Sequence, residues 1–391
     1  MVTDNLKPAQ PGMSTSSGGP LLTFALVSCN QEQFVREAVE GAFSQTYSPL
    51  QVILSDDRSD DRSFEIMLQM AKDYHGPHQL VLNRNPVRRK TGGHFNKVFE
   101  LAHGELIVIA AADDISLPRR TQVIYGAWNQ SGRRATSIYS DVIQIDESGR
   151  AIEQLYEFEQ RKLCEKGRFV EEKADPFSYV ETLKPAVHGC AHAISPRLFS
   201  VFGPMPEQVM YEDRVLAFRS VLTGKVLYIN EPLVKYRLHG ANVFKYRRRA
   251  EDATDLKSLE QQENSLQRDF RDAEIMYQAF LLDLEKVRQQ RTFEGADWEK
   301  TAKAADRKRT HFGLMGEFLE GGLFSKCRIL LQLRKTGLNA VDRRILMRRL
   351  IPRSLLLRIR LAVATAPFRR RTRCSNPGGN NRSGEEHITA G

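Results

Sequence analysis

The sequence predicts an α/β fold in which helices cover both faces of a mainly parallel sheet. The first observation is that apolar segments of strand length alternate with segments of helical spacing over residues 21–130. The second is that residues 106–112 contain no polar side chain, which is typical of a strand buried on both faces. A third is that the last third of the chain keeps helical spacing, which predicts an α-helical C-terminal extension.

The elements follow one another in a regular order. Apolar strands are predicted at residues 21–29, 51–54, 79–82 and 106–112. Helices with one apolar face are predicted between them, at residues 32–43, at residues 63–74 and after the pair Gly92-Gly93. This βαβαβαβ order is explained most simply by a parallel sheet between two layers of helices.

The pattern becomes less regular after the fourth strand. Helices are predicted at residues 118–130, 196–202 and 212–222, and strands at residues 137–145 and 226–229. The chain is therefore expected to divide into several parts. These are a disordered tail (1–20), a catalytic domain (21–245), a helical extension (246–340), a basic amphipathic segment (341–374) and a second disordered tail (375–391).

Composition narrows the class of protein. The chain has 391 residues and 41% hydrophobic residues, and its five cysteines are scattered without any CxxC pair. A disulfide framework and a structural zinc site are therefore not expected, and a reducing cytoplasm is the expected location. We find neither a signal-peptide pattern at the N-terminus nor an apolar stretch long enough to span a bilayer.

The net charge of +10 is local. Eleven arginines between residues 343 and 373, opposed only by Asp342, account for the whole excess. Leu346, Leu350, Leu357 and Leu361 follow one side of the same segment. This combination predicts peripheral contact with an anionic membrane surface, at the inner face where a lipid-linked acceptor would lie. The alternatives are a tail that packs on the catalytic domain or stays disordered; nucleic acid is not expected as a partner, since no reader motif is present.

Polar residues stand where the predicted strands end. Asn30, Asp57 and the pair Asp113–Asp114 each follow an apolar strand, so they are expected at one edge of the sheet. Carboxylates there can bind ribose hydroxyls or hold a divalent metal against a diphosphate. Neither a P-loop nor a GxGxxG motif is present, so another type of phosphate site is indicated. The alternative is a purely structural role, in which these acids only cap helices and line solvated turns.

An ordered series of motifs resembles family 2 glycosyltransferases of the GT-A fold, including polysaccharide and rhamnosyl transferases. The resemblance covers roughly residues 21–245. Its motifs, in chain order, are Val27-Ser28-Cys29-Asn30, Ser44-Gln45-Thr46-Tyr47, Ser55-Asp56-Asp57, Gly92-Gly93-His94-Phe95-Asn96, Gly104-Glu105, Asp113-Asp114, Tyr211-Glu212-Asp213 and Tyr236-Arg237-Leu238-His239.

The resemblance implies a role for each matched residue. The nucleotide-sugar donor would be bound by Val27, Ser28, Cys29, Asn30, Asp57, Asn96, Asp113 and Asp114. Asp114 and His239 would hold a divalent metal, Mn²⁺ or Mg²⁺. Asp213 would be the general base with Glu212 as its neighbour, and the sugar would be transferred with inversion to a hydroxyl of a glycan or lipid-linked acceptor. Cell-surface polysaccharide synthesis by a hexosyl- or deoxyhexosyltransferase is the function implied.

Two positions depart from the family pattern. Ala111 stands where many relatives carry the first Asp of an Asp-x-Asp motif, which weakens the expectation of metal binding. Val-Ser-Cys at residues 27–29 replaces the usual Pro-Thr-Tyr, so a stacking aromatic ring is absent from this motif. The alternatives are a catalytically degenerate protein that binds nucleotide sugar or glycan, a nucleotidyltransferase with a similar sheet, and a basic membrane or nucleic-acid adaptor.

Overall fold

The computed structural model describes residues 19–152, 167–240, 242, 256–290, 297–337, 342 and 346. Nine strands in this part of the chain form a single sheet. They are β1 Leu22–Ser28, β2 Leu50–Asp56, β3 Gln79–Arg84, β4 Ile107–Ala111, β5 Ile115–Ser116, β6 Ala135–Ile145, β7 Phe169–Glu172, β8 His192–Ile194 and β9 Lys225–Arg237.

Helices flank this sheet and form the C-terminal region. They are α1 Val35–Phe43, α2 Ser63–Lys72, α3 Lys90–Leu101, α4 Arg120–Gln130, α5 Pro176–Thr182, α6 Arg197–Phe202, α7 Glu212–Thr223, α8 Leu256–Gln290, α9 Trp298–Glu320 and α10 Leu323–Thr336. A single 3₁₀ turn, Gly189–Ala191, precedes β8.

The sheet is mixed, and its first half is parallel. The strand order is β3-β2-β1-β4-β8-β6-β9-β5, with β7 paired to β9. Strands β1 to β4 pair in parallel, as the sequence predicts, whereas β8 runs antiparallel between β4 and β6. The register places Ser28 beside Asp56 and Val27 beside Ala111. The carboxyl ends of β1, β2 and β4 therefore meet at one edge, and the residues that follow them are brought together.

Strand β4 shows why the apolar run at residues 106–112 folds as a central strand. Its side chains alternate between the two faces of the sheet. Ile107 and Ile109 enter one buried apolar cluster, and Val108 and Ala110 enter the other. The prediction of a strand buried on both faces is confirmed.

Strand β9 is longer than the sequence indicates. The apolar pattern predicts a strand at residues 226–229, because Asn230, Glu231 and Pro232 resemble a break. The strand in fact continues to Arg237, and Pro232 pairs with Asp141 at a register irregularity against β6. A proline, which has no N–H to donate, is tolerated in a sheet at such a bulge. Because β9 continues beyond residue 229, Arg237 lies at the edge of the sheet where β4 ends.

The glycine pair at residues 92 and 93 lies inside α3 and does not precede it, so that detail of the prediction is wrong. The reason is a close approach between α3 and the segment before α7. The Gly92 amide donates to the carbonyl oxygen of Val209 at 2.9 Å. A Cβ atom at Gly92 would lie 2.4 Å from the carbonyl oxygen of Pro206, so a side chain does not fit.

We expect Gly92→Ala to destabilise the protein by about 1–3 kcal/mol, because the new methyl group would push backbone away from backbone. Gly126→Ala is the matched control, since a Cβ on this second helical glycine meets nothing within 4 Å. The control should gain about 0.5–1 kcal/mol from helix propensity. Urea unfolding monitored by circular dichroism measures both. Equal stabilities of the two variants would contradict the close approach.

The C-terminal helices share a core with the sheet. The apolar cluster that contains Ile107 also contains Tyr277 and Phe280 of α8 and Ala305 of α9. A smaller cluster joins α8, α9 and α10 with Leu346. The predicted helical extension is confirmed, while the proposed division of the chain near residue 245 stays a prediction.

The basic segment at residues 341–374 lies outside the described residues, except for Asp342 and Leu346. The carboxylate of Asp342 lies 3.2 Å from Nε2 of His311 in α9. The two predicted disordered tails also lie outside them, apart from residues 19 and 20. Among the described helices, none combines the length and apolar character needed to cross a bilayer.

Candidate functional site

Asp57 is buried directly after β2 with its carboxylate fixed on one side. Its Oδ1 atom accepts hydrogen bonds from the side-chain amide of Asn85 and from the backbone amide of Arg89, both at 2.8 Å. The preceding Asp56 fills the turn role, because its carboxylate accepts the Ser59 amide at 2.8 Å. The two carboxylates therefore have different surroundings. Asp56 binds within its own turn, whereas the segment 85–89 orients the Asp57 carboxylate.

The end of β1 lies against Asp57, as the family motif implies. The carbonyl oxygen of Ser28 accepts the Asp57 amide at 2.9 Å. The Ser28 hydroxyl is buried, and no described residue provides it with a hydrogen-bond partner. Cys29 is half-buried, its Sγ lies 3.9 Å from the Asp57 carbonyl oxygen, and burial raises the pKa of its thiol. Val27, half-buried, pairs with Ala111 in the sheet.

Asn30 and Asn96 make local contacts. Asn30 is exposed in the left-handed region with φ 55°, and its Oδ1 atom accepts the Asp60 amide at 2.9 Å. The side-chain amide of Asn96 exchanges two hydrogen bonds with the backbone of Met205, at 2.8 and 2.9 Å. Asn96 thus fixes α3 to the segment after α6, and its predicted contact with the donor stays a prediction.

The two acids after β4 face different surroundings. Asp114 is 4% exposed, and its carboxylate accepts the Arg237 amide at 2.8 Å and the Cys190 thiol. Burial, and secondarily the charge of Asp113, raises the pKa of Asp114 to about 7. The Asp113 side chain is 19% exposed, and its Oδ2 atom lies 3.0 Å from Nε2 of His239. Asp113 is therefore the more accessible of the pair.

Arg237 holds this corner together. Its side chain is fully buried. The guanidinium donates to the carbonyl oxygen of Asp113 at 3.0 Å, to that of Glu147 at 2.9 Å and to the Glu37 carboxylate at 2.9 Å. Its carbon lies 4.8 Å from the centre of the Phe34 ring. Because its own amide binds Asp114, Arg237 connects α1, the end of β4 and the turn at residues 146–149.

A second pair of acids begins helix α7. Asp213 is buried, and its Oδ1 atom accepts the Arg214 amide at 2.7 Å. Burial raises the pKa of Asp213, while Arg214 and, more weakly, His188 act in the opposite direction. Burial also raises the pKa of Glu212 well above its ordinary value, and the charge of Asp213 adds to that shift.

The 3₁₀ turn at residues 189–191 connects the two acidic pairs. A Cβ atom on Gly189 would lie 2.9 Å from Oε1 of Glu212 and 3.5 Å from Cβ of Asp213. The next residue, Cys190, donates to Asp114. The ring of His188, just before the turn, lies 6.2 Å from that of Tyr236, the residue before Arg237. The acids predicted from distant motifs are thus neighbours across one short turn.

Few of the described side chains are placed to bind a metal ion. Among the residues that the structure describes, His, Cys, Asp and Glu side chains form no group of three or more suited to a metal ion. Asp113 and His239 supply one carboxylate oxygen and one imidazole nitrogen, 3.0 Å apart. Two protein ligands fit a Mg²⁺ or Mn²⁺ ion whose other ligands are substrate phosphates and water. The predicted ligand Asp114 is directed at the Arg237 amide and Cys190.

Part of the chain resembles a known protein family. Residues 23–202 match the family model described as glycosyl transferase family 2. The match covers 180 of the 391 residues, so this region of the chain resembles that family. An uncharacterized glycosyltransferase of Nostoc sp. is 22% identical over 215 residues, which are 54% of this chain and 63% of the relative. One of Rickettsia typhi is 24% identical over 230 residues, 59% of this chain and 67% of the relative. The chain thus spans about two thirds of these relatives.

Two solved structures resemble the chain only distantly. TarS of S. aureus gives a TM-score of 0.48 at 13% identity, covering 87% of this chain and 52% of TarS. A mannosyltransferase of Pyrobaculum calidifontis, solved with GDP-Man and Mn²⁺, gives 0.44 at 16% identity, covering 89% of each chain.

The matched family 2 region ends before several of the site residues. Asp213 and His239 lie beyond residue 202, so the match does not cover them, and their roles stay predictions. Sequence reasoning assigned no role to Arg237 or to the turn at residues 189–191. Arg237 had a signal, because it lies in the motif that ends at His239, but its partners are 90 to 200 residues away in sequence.

Proposed function

We propose that this protein is a family 2 glycosyltransferase that transfers a sugar from a nucleotide-diphosphate donor to a hydroxyl group of a glycan or lipid-linked acceptor. The observation that carries the proposal is the convergence of Asp57, Asp113 and Asp213, from three separate elements, on one edge of the sheet. The match of residues 23–202 to the glycosyl transferase family 2 model supports the reaction class. Acids that only cap helices would not be expected to lie close together, as these acids do around the turn at residues 189–191.

The nucleoside part of the donor would lie between the ends of β1 and β2. Asp57 is held there by Asn85 and Arg89 on one oxygen, so the rest of its carboxylate can accept from a base or ribose. The buried Ser28 hydroxyl without a partner among the described residues fits the same site, because buried polar groups normally have one.

Asp113 and His239 would hold the metal and, through it, the diphosphate. When bound, the metal supplies positive charge where the leaving diphosphate develops negative charge. Asp114 would have a supporting role: its contacts with the Arg237 amide and Cys190 fix the end of β4 and the segment that begins at Leu238. The geometry thus favours Asp113 over Asp114 as the metal-binding acid.

Asp213 would remove the proton from the acceptor hydroxyl. A general base works best when its pKa lies near the working pH, and burial moves the pKa of Asp213 in that direction. Attack by the acceptor oxygen on the anomeric carbon forms the new glycosidic bond and breaks the bond to the diphosphate. The proton passes to Asp213, and attack opposite to the leaving group gives inversion.

A panel of UDP-, GDP- and dTDP-sugars, with and without Mn²⁺, tests the proposal by thermal shift and by donor hydrolysis. We expect one nucleotide class to raise the melting temperature, with a larger shift when Mn²⁺ is present. Asp113→Asn should abolish the Mn²⁺-dependent part, whereas Asp60→Asn, on the exposed loop nearby, should not. No response to any donor would contradict the proposal.

The alternative is a degenerate protein that binds nucleotide sugar without transferring it, and Ala111 is its support. The same panel separates the two functions. Binding without hydrolysis or transfer, with Mn²⁺ present and over a range of acceptors, would favour the alternative. Turnover that requires Asp213 would exclude it.

We expect the acid side of the pH–rate profile to belong to Asp213. Because burial raises its pKa, kcat/KM should fall as pH decreases through a value above the ordinary aspartate pKa of about 3.9. Burial and the charge of Asp213 raise the pKa of Glu212 well above its usual value, and Glu212 is not the proposed base. Glu212→Gln should therefore leave the acid limb in place. A profile that becomes flat in Glu212→Gln would identify Glu212 as the titrating base.

We also propose that residues 341–374 dock on an anionic membrane surface. Leu346 packs in the cluster of α8 to α10, so a chain ending at Leu346 keeps this contact and loses nine of the eleven arginines. We expect the full chain, and not the shortened one, to co-sediment with phosphatidylglycerol vesicles at low salt. Equal binding of both chains would contradict membrane docking by this segment.

A further inference from the structure

A buried ion pair joins helix α7, which begins with the proposed base, to helix α8 of the C-terminal extension. Nε of Arg219 lies 2.8 Å from Oδ2 of Asp283, and Nη2 of Arg219 lies 3.1 Å from Oδ1 of Asp283. Both side chains are at most 2% exposed. The pair is bidentate, so it fixes the relative orientation of the two helices as well as their distance.

The guanidinium of Arg219 is also held by α6. Its Nη1 atom donates to the carbonyl oxygen of Gly203 at 2.9 Å. Its carbon lies 5.7 Å and 5.2 Å from the ring centres of Phe199 and Phe202. The side chain therefore has little freedom to follow Asp283 if that carboxylate is moved or removed.

Helix α8 makes further polar contacts with the end of α6. Lys286 donates to the carbonyl oxygen of Phe202, and Gln290 donates to that of Val201 at 3.2 Å. The last carbonyl groups of a helix have no partner inside the helix, so these donors complete α6. Helices α6 and α7 are thus both anchored on α8, which lies outside the matched family region.

Apolar contacts alone would hold α7 and α8 together without fixing their alignment. Phe218 and Phe280 stack with ring centres 4.2 Å apart, and both belong to the large core cluster. A buried ion pair adds little net stability compared with apolar residues of similar volume, but it is directional. The ion pair, unlike the apolar contacts around it, therefore fixes the alignment of α7 and α8.

We propose that Asp283 and Arg219 are positioning residues for Asp213, so that the helical extension is part of the catalytic unit. Asp213 lies six residues before Arg219, or about 9 Å along α7 at 1.5 Å per residue. A rotation or shift of α7 at Arg219 is carried to its first turn, where a displacement of about 1 Å can cost about 10²-fold in rate. This inference rests on the proposed role of Asp213 as the base.

The test replaces the ion pair by apolar side chains in the double variant Arg219→Met/Asp283→Leu. The single variant Asp283→Leu leaves a buried guanidinium without its carboxylate and should melt well below the wild type. The double variant should recover most of that loss. We expect its kcat to stay about 10²-fold below the wild-type value with the KM for the donor unchanged.

Leu284→Ala is the matched control, because it removes a buried apolar side chain next to Asp283 in sequence, from the cluster that contains Phe218 and Phe280, and leaves the ion pair intact. It should lower the melting temperature and keep kcat near the wild-type value at temperatures where the protein is folded. If the double variant and Leu284→Ala have the same kcat, the ion pair is merely structural and the inference is wrong.

A second readout is independent of activity. In the double variant, amides at the start of α7 should exchange with deuterium faster than in the wild type, although global stability is recovered. Unchanged exchange would overturn the inference even if no donor is identified. Conversely, a wild-type protein that is inactive with every donor would contradict the proposed function and leave the exchange result to decide positioning.

Discussion

Asp213→Asn is expected to reduce sugar transfer by about 10²–10⁴-fold, the usual contribution of a general base. The asparagine has nearly the same size, and its carbonyl oxygen can still accept the Arg214 amide that Asp213 accepts at 2.7 Å. The substitution therefore removes the ability to take a proton and leaves the start of α7 in place. Donor affinity should be unchanged, because the nucleoside is expected at Asp57 and the ends of β1 and β2.

Initial-rate kinetics and donor titration of the same preparation measure the two effects separately. Asp175→Asn is a matched control, since Asp175 also accepts an amide at a helix start, from Ser178 at 2.9 Å, but lies exposed at α5. It should transfer sugar at the wild-type rate. Persistence of transfer in Asp213→Asn would assign the base to another group, and Glu212 would be the first to examine.

Arg237→Met is expected to lower the free energy of unfolding by about 3–5 kcal/mol, the range found when one partner of a buried charged network is removed. The methionine matches much of the length of the arginine but donates no hydrogen bonds. The carbonyl oxygens of Asp113 and Glu147 and the Glu37 carboxylate would lose their donor. The loss should therefore exceed that of an ordinary surface ion pair.

Function should be affected in the same variant. The loop that follows Arg237 carries His239, whose imidazole meets Asp113 at 3.0 Å. Without the guanidinium, these two groups lose the element that holds them together, and the Mn²⁺-dependent thermal shift with donor should disappear.

Denaturant unfolding and thermal shift measure the two effects of Arg237→Met. Arg288→Met is the control: Arg288 is 75% exposed and lies 3.7 Å from Glu285 in the same helix. Exposed pairs of this kind contribute about 0–1 kcal/mol, so the control should be close to wild type. Similar losses in both variants would show that Arg237 is not the structural centre of the corner.

The sequence alone determined the fold class and the order of the site motifs. Strand β4 was predictable because a strand buried on both faces has no polar position, and residues 107–110 obey that rule strictly. Asp57 and Asp113–Asp114 were predictable as an edge group, because parallel strands end on the same side. These inferences need only local pattern and a known rule of topology.

The course of the later strands was less accessible. The strand predicted at residues 226–229 continues to Arg237 through a bulge at Pro232, since the partner strand β6 has an irregular register at Asp141. Local pattern cannot show this, because the bulge pairs with a residue 91 positions earlier in the chain. The same holds for the glycines of α3, whose conformation is compatible with a helix but whose lack of a side chain serves contacts with residues 206–209.

Only the tertiary structure decided which acid has which surroundings. Asp113 and Asp114 are equivalent in sequence, but Asp114 is turned toward the Arg237 amide and Cys190, while Asp113 meets His239. The sequence likewise placed the helical extension outside the catalytic domain, whereas Asp283 reaches Arg219 in the helix of Asp213. The physical reason is that burial, charge and hydrogen-bond direction depend on neighbours that are distant in the chain, and the order of residues does not contain those distances.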